Sequence, residues 1–167
     1  YLVFPQQLYQ AGIISYQGNF TGFLSDFVAY GTLSSRMGLI RTDISIVPDA
    51  ANMLQYRGRL ETASFNIGRL MQSPQFGQIS FNGMVNGTFD RKKETIDGKF
   101  DGKISRWLLN NYTYQDITLN GQLSNKKFDG NIVVDDPNLK LNFSGELNLN
   151  EKVPVFDFLL HLQEADL

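Results

Sequence analysis

One histidine and no cysteine in 167 residues leave little for side-chain chemistry to work with. His161 sits in the apolar run VPVFDFLLHLQ. No second imidazole and no thiolate can join it, so no zinc ligand set exists and a structural histidine on a sheet face is expected. Asp135, Asp136 and Asn138 crowd around Pro137 as in a calcium loop. A Pro-containing turn satisfies the same residues without metal, and the turn is the expectation. Asp97 and Asp101 share a face two pleats apart, the arrangement of paired carboxylates. Lys99 stands between them, which makes a solvated charge ladder. No GxSxG, P-loop or dinucleotide fingerprint occurs. Asn19, Asn86, Asn111 and Asn142 each begin an Asn-x-Ser/Thr triplet, which matters only in a eukaryotic secretory context. The expectation is therefore no catalytic residue, no metal ligand, no cofactor and no enzyme.

Fifteen Lys and Arg against seventeen Asp and Glu give a net charge of −2. That argues against a phosphate-binding surface and makes nucleic acid an unsuitable partner. No apolar run reaches the length of a membrane-spanning helix. The chain is long enough for one domain with a core, taken as residues 1–167. It opens on Tyr1-Leu2-Val3-Phe4 without an initiator Met and stops in an apolar pattern. We read it as an internal piece of a longer polypeptide.

What remains to carry function is apolar surface, and strands position it. Residues 111–150 set the pattern. Ile117, Leu119, Gly121 and Leu123 share one parity; Phe128, Gly130, Ile132 and Val134 share the next. Leu139, Leu141, Phe143, Gly145, Leu147 and Leu149 follow, against Lys140, Asn142, Ser144, Glu146 and Asn148. A period of two makes one face apolar and the other wet. The same alternation runs through Ile14–Gly22, Phe27–Leu33, Met37–Val47, Leu54–Leu60, Ile79–Gly87 and Ile96–Ile104. Val153–Leu162 is apolar on both faces, so cover on both sides is expected. Tyr1–Phe4 reads as an edge strand or the end of an upstream element. Residues 63–74 break the rhythm: Phe65, Ile67, Leu70 and Met71 are spaced as in a short helix, and Pro74 stops them. They read as an irregular or short helical insertion that plugs one end of the sheet.

These segments form an internal repeat, apolar-x-apolar-x-Gly-x-apolar: ISYQGNF, FVAYGTL, LQYRGRL, ISFNGMV, ITLNGQL and LNFSGEL. The spacing predicts an antiparallel meander of nine or ten long strands with very little helix. Its apolar face has no amphipathic helix to cover it, so the sheet must close, fold over or bind something apolar. A glycine on the inner face lets a strand bend. Gly18, Gly31, Gly58, Gly83, Gly98, Gly121, Gly130 and Gly145 are expected to form creases in register. The predicted fold is all-β, a meander folded into a U with an apolar groove. Ile79, Phe81, Val85, Phe100, Ile117, Leu119, Ile132, Leu141, Phe143 and Leu147 are the expected lining.

The strand-Gly-strand rhythm, DDPNLKLNFSG at 135–145 and FTGFLSDFVAYGTLSSRMG at 20–38 resemble the TamB family of the AsmA-like superfamily, and more narrowly its Bacteroidetes members. The resemblance covers nearly the whole chain and rests on no catalytic motif. It implies a β-taco fold in a long periplasmic protein anchored in the inner membrane. It implies movement of phospholipid between inner and outer membrane, and an outer-membrane barrel partner of the BamA/TamA class met by regions outside this chain. Two other readings stand beside it: a chaperone that assists outer-membrane protein assembly by templating strands on an open edge, and an outer-membrane barrel or structural stalk.

Overall fold

Alternating residues give strands wherever the sequence carries them. The computed structural model describes residues 12–23, 26–49, 52–70, 73–93, 95–124, 127–148 and 155–165. Eleven strands follow in order: β1 Ser15–Phe23, β2 Asp26–Ser35, β3 Gly38–Pro48, β4 Met53–Ala63, β5 Phe65–Asn66, β6 Gln78–Asp90, β7 Thr95–Leu109, β8 Tyr112–Ser124, β9 Lys127–Asp136, β10 Leu139–Asn148 and β11 Val155–Ala165. They form one antiparallel sheet in the order β1-β2-β3-β4-β6-β7-β8-β9-β10-β11, with β5 paired to the start of β6. The sheet is thus the expected meander with one strand more than the upper expectation. The extra strand arises because Ser64, at φ 50°, kinks the chain and splits β5 from β4. β1 and β11 lie at opposite ends of the order, so the sheet is open and is not a closed barrel. The Tyr1–Phe4 segment, Met71, Leu149 and Val153 lie outside the described residues.

The insertion between β4 and β6 takes both of its possible forms in turn. After β5 comes one helical turn, α1 Ile67–Leu70, and then a 3-10 turn at Pro74–Phe76. The Asn66 side chain accepts from the Arg69 N–H at 2.9 Å, which starts α1. Phe65 is buried against Met37, with Ile40 and Ile79 beside them. Phe76 stacks on Trp107 at 6.1 Å between ring centroids. These contacts cover one end of the sheet.

At that same end the pleat changes phase. In β7, Phe81 faces Ile104 but Ile79 faces Trp107, so Ser105 is an extra residue against β6. In β8, Ser105 is matched by Asp116, which has φ 48°. The paired bulges move the apolar parity from Ile104 to Trp107 and from Ile117 to Tyr114. Beyond them, Asn110 and Asn111 have φ of 49° and 69° and close the hairpin. Two left-handed residues match the twist of the strands they join.

The bulge takes Gln115 out of the regular β8–β9 ladder, and Asp136 supplies the acceptor it loses. Asp136 is fully buried at 0 % exposure. Its Oδ2 accepts from the Gln115 N–H at 2.8 Å. Its Oδ1 accepts from the Tyr112 hydroxyl at 2.8 Å and from the Asn138 N–H at 3.0 Å. Asp136 and Asn138 are thus committed to the turn around Pro137. Burial alone would push this carboxyl up; the Asn138 N–H, the Tyr112 hydroxyl and the Gln115 N–H outweigh it and hold it below its ordinary value. The same bond pushes the Tyr112 phenol up.

A carboxyl lowered by folding stabilises the fold above its unfolded pKa, about 3.9, and loses that contribution as pH falls through the folded value. Acid unfolding should therefore weaken in pH dependence in Asp136→Asn. The variant should also lose roughly 1–3 kcal/mol at neutral pH, because a charged acceptor for three donors is gone. Urea midpoints measured from neutral to acid pH check both. An unchanged acid limb in the variant assigns that limb to other carboxylates.

Candidate functional site

The registers bring the apolar residues of ten strands onto one face. Phe81, Val85, Ile104, Ile117 and Val134 are its buried centre, with Val85 and Ile117 at 3 % exposure. Ile79, Phe100, Leu119, Ile132 and Leu141 pack against that centre. Phe143 is buried between Phe128, at 6.5 Å, and Phe158, at 5.2 Å. Leu147 lies opposite Phe128 on β9 and Phe156 on β11. All ten residues expected from the sequence therefore share one surface. Ile104 and Val134 belong to its centre as well, and Ile44, Tyr56, Leu60, Trp107 and Tyr114 to its surround. Ile104 and Val134 carry the same period-two signal as the residues singled out. Trp107 and Tyr114 are hidden by the phase change at the bulges.

The glycines do not lie on one crease line across the sheet. Following the pairing, Gly83 faces Gly102, Gly102 faces Leu119, and Leu119 faces Ile132. One pleat along, Val85 faces Phe100, and Phe100 faces Gly121. Gly121 faces Gly130, and Gly130 faces Gly145. A third line pairs Gly87 with Gly98, then Leu123 and Phe128. Gly18 and Gly31 form a further pair at the β1 end. The sequence repeat places a glycine inside most strands, but strand offsets distribute the glycines over three lines.

What the pairs share is an aromatic ring laid over them. A Cβ at Gly83 would lie 2.6 Å from the Phe81 ring, and one at Gly102 would lie 2.8 Å from it. The Phe128 ring stands in the same way over Gly121, at 2.5 Å, and Gly130, at 3.0 Å. The Tyr16 hydroxyl reaches over Gly18 and Gly31. Tyr56 spans Gly87 and Gly98, and its hydroxyl donates to the Asp97 carbonyl at 3.4 Å. Burial, and then the Asp97 carboxylate, push the Tyr56 phenol up. Residues two apart share a face, so Phe81 covers the vacancy at Gly83, and Phe128 that at Gly130. The glycines give neighbouring strands a close approach and the rings level the surface above them. Gly58 and Gly145, at φ 155° and 146°, also hold a backbone conformation that other residues rarely take.

The two faces differ in charge. Apart from Asp136 at its margin, the apolar face carries no Lys, Arg, His, Asp or Glu among the described residues. The wet face carries cross-strand pairs: Arg41–Glu61 at 2.6 Å, Lys127–Glu146 at 2.7 Å and Lys140–Glu164 at 3.0 Å. Asp97 accepts from Ser124 Oγ at 2.5 Å, so it belongs to this polar ladder. A depression of about 360 Å3 on the wet face runs past Gly18 and Gly31, lined by Gln17, Tyr30, Arg41, Asp43 and Arg59. Arg41 is held there by Glu61 and Arg59 by Asn82. Neither is left as an anion site. His161 lies on β11 opposite Asn142 and is exposed. No group of three or more His, Asp or Glu among the described residues could hold a metal ion.

Comparison with family models, with curated proteins and with solved structures finds no match.

The glycine geometry separates two substitutions that look alike in sequence. A Cβ at Gly83 would meet the Gly102 Cα at 2.6 Å, and backbone cannot move aside cheaply. At Gly98 the nearest obstacle is the Tyr56 hydroxyl, the far end of a side chain that donates to the Asp97 carbonyl, and the nearest backbone atom is 3.2 Å away. Gly83→Ala should cost roughly 2–4 kcal/mol, and Gly98→Ala about 1 kcal/mol or less. Chemical denaturation of the two variants checks this. Equal costs would mean that close strand approach is not what the glycines provide.

Proposed function

We propose that this chain is a periplasmic segment of a bridge-like lipid carrier, its apolar face folded into a U-shaped groove that holds phospholipid acyl chains between inner and outer membrane. One observation carries the reading: an apolar face spans ten strands, bears no Lys, Arg, His, Asp or Glu away from its margin among the described residues, and has no second layer in the described chain. An uncovered face of that extent is costly in water. Burial of Val85 and Ile117 to 3 % without a covering layer fits a sheet that curls over its own face. Each methylene of an acyl chain moved from water onto such a surface contributes about 0.8 kcal/mol. A face without charge offers a phosphate headgroup nothing, so the headgroup stays at the open side. The resemblance to the TamB family supports the periplasmic setting, an inner-membrane anchor in the whole protein and the BamA/TamA-class barrel partner.

A carboxylate introduced on a ligand-bearing face blocks an acyl chain, and an open groove can still hydrate it. Leu119→Asp and Leu141→Asp should abolish lipid carriage in the full-length protein while the protein still accumulates. Asn120→Asp and Asn142→Asp, on the wet face, should be silent. A photo-crosslinker at Leu119 should capture phospholipid, and one at Asn120 should not. Native mass spectrometry of the purified chain should show co-purified phospholipid. Full activity in Leu119→Asp, or equal lipid capture on both faces, would overturn the groove and favour a scaffold for outer-membrane protein assembly.

A further inference from the structure

The depression on the wet face crosses β1 to β4 and is no part of the apolar surface. Its volume, about 360 Å3, falls within the range of clefts that hold small ligands, about 300–1,000 Å3. Two rows of side chains wall it. Along one row Asn19 faces Tyr30, Tyr30 faces Asp43 and Asp43 faces Arg59. Along the other, Gln17, Thr32, Arg41 and Glu61 follow in the same way. Between the rows lie Gly18, Gly31 and Thr42, of the opposite parity, so the floor is bare backbone. At strand spacing the walls stand roughly 7 Å apart and the slot runs roughly 14 Å across the four strands. These are the proportions of linked six-membered rings.

The lining disfavours charged ligands of either sign. Two arginines and two carboxylates leave it without net charge. Arg41 and Glu61 hold each other at 2.6 Å, and the Arg59 Nε donates to Asn82 at 3.0 Å. A phosphate would meet Asp43 and Glu61 beside arginines already engaged, and an amine would meet the arginines. β2 and β3 are paired on both sides, so a peptide finds no free strand edge between the rows. Neutral hydrogen bonding is what stays open. The side chains of Gln17, Asn19, Tyr30, Thr32 and Asp43 have no hydrogen-bond partner among the described residues. Tyr30 is 63 % exposed, and its ring is the only one among the lining residues. We propose that this cleft binds a short neutral saccharide, with a pyranose face on the Tyr30 ring and hydroxyls on Asp43, Asn19 and the Arg41–Glu61 pair. The C–H face of a pyranose carries slight positive charge and suits the negative face of an aromatic ring. Each sugar hydroxyl both donates and accepts, so it can bridge Arg41 and Glu61 without separating them. Both oxygens of Asp43 accept, and adjacent hydroxyls offer donors in pairs. The site lies on the face opposite the apolar one and does not rest on the lipid reading.

Amide NMR of the chain titrated with cellobiose, maltose and N,N′-diacetylchitobiose tests the site. At least one of these sugars should shift amides of β1–β4 saturably in the millimolar range, and phosphate, spermidine and trialanine should not. Tyr30→Ala should weaken that binding about tenfold or more, and Tyr30→Phe, which keeps the ring, by less than about threefold. Asp43→Asn should weaken it about threefold or more, because a charged acceptor becomes a neutral one. Met84→Ala, exposed on the same face outside the cleft, should bind as the parent does. Circular dichroism like that of the parent shows that these exposed variants fold. No saturable shift with any of the sugars, undiminished binding in Tyr30→Ala, or a stronger shift of the same amides by phosphate, spermidine or trialanine would overturn the site. Leu119→Asp should bind the sugar as the parent does, which separates this outcome from that of the lipid tests.

Discussion

Two glycines facing each other across neighbouring strands let the backbones approach to distances that a Cβ would forbid, and the ring above them fills what their missing side chains leave. Much of the sheet depends on this arrangement. It recurs at Gly18–Gly31, Gly83–Gly102, Gly87–Gly98 and Gly121–Gly130, under Tyr16, Phe81, Tyr56 and Phe128. The ring supplies buried area where two residues supply none. The apolar face becomes a tiling of flat rings and short aliphatic chains, not a row of notches. A strand with a bulky residue at every inner position would stand further from its neighbour and twist differently.

A one-sided sheet divides its stability unequally between its faces. The wet face holds ion pairs whose partners are half exposed, and such pairs contribute little each. The apolar face holds the buried centre, and the end of the sheet is fastened by Asp136, by Met37 against Phe65, and by Phe76 on Trp107. In the proposed carrier the same surface would be both core and ligand site. Burial is graded in a way that permits both. Val85, Ile104 and Ile117 in the middle strands are nearly closed to water, whereas β11 is open. Residues that fix the fold and residues that accept a guest are then neighbours on one face, distinguished by depth.

Period-two alternation made most of this sheet legible. Strand identity and the inner set of residues follow from parity, because a one-residue slip would turn every apolar side chain to water. The helical spacing of Phe65, Ile67 and Leu70 likewise marks where the rhythm fails. Three features were not legible. Asp116 takes φ 48° although nothing in its type announces a bulge, so the move of parity to Trp107 and Tyr114 could not be read. The commitment of Asp136 depends on Gln115 and Tyr112, more than twenty residues earlier. The crease model assumed that glycines at like positions in a repeat align across the sheet. Alignment is set by hairpin lengths, and unequal turns offset the strands.

The repeat also bears on how a guest would move in the proposed carrier. With no charged side chain on the apolar face away from its margin, no position there can hold a headgroup through charge. Successive strands draw on the same few kinds of surface, ring, glycine and aliphatic chain, in differing order. A guest crossing from β6 to β10 would therefore meet apolar contacts at each step and no charge to trap it. Conduction needs binding strong enough to admit a guest and shallow enough to release it. An apolar surface without charge would meet that condition through many weak contacts. It supplies no direction by charge. Direction would have to come from the two ends of the path, where the composition differs.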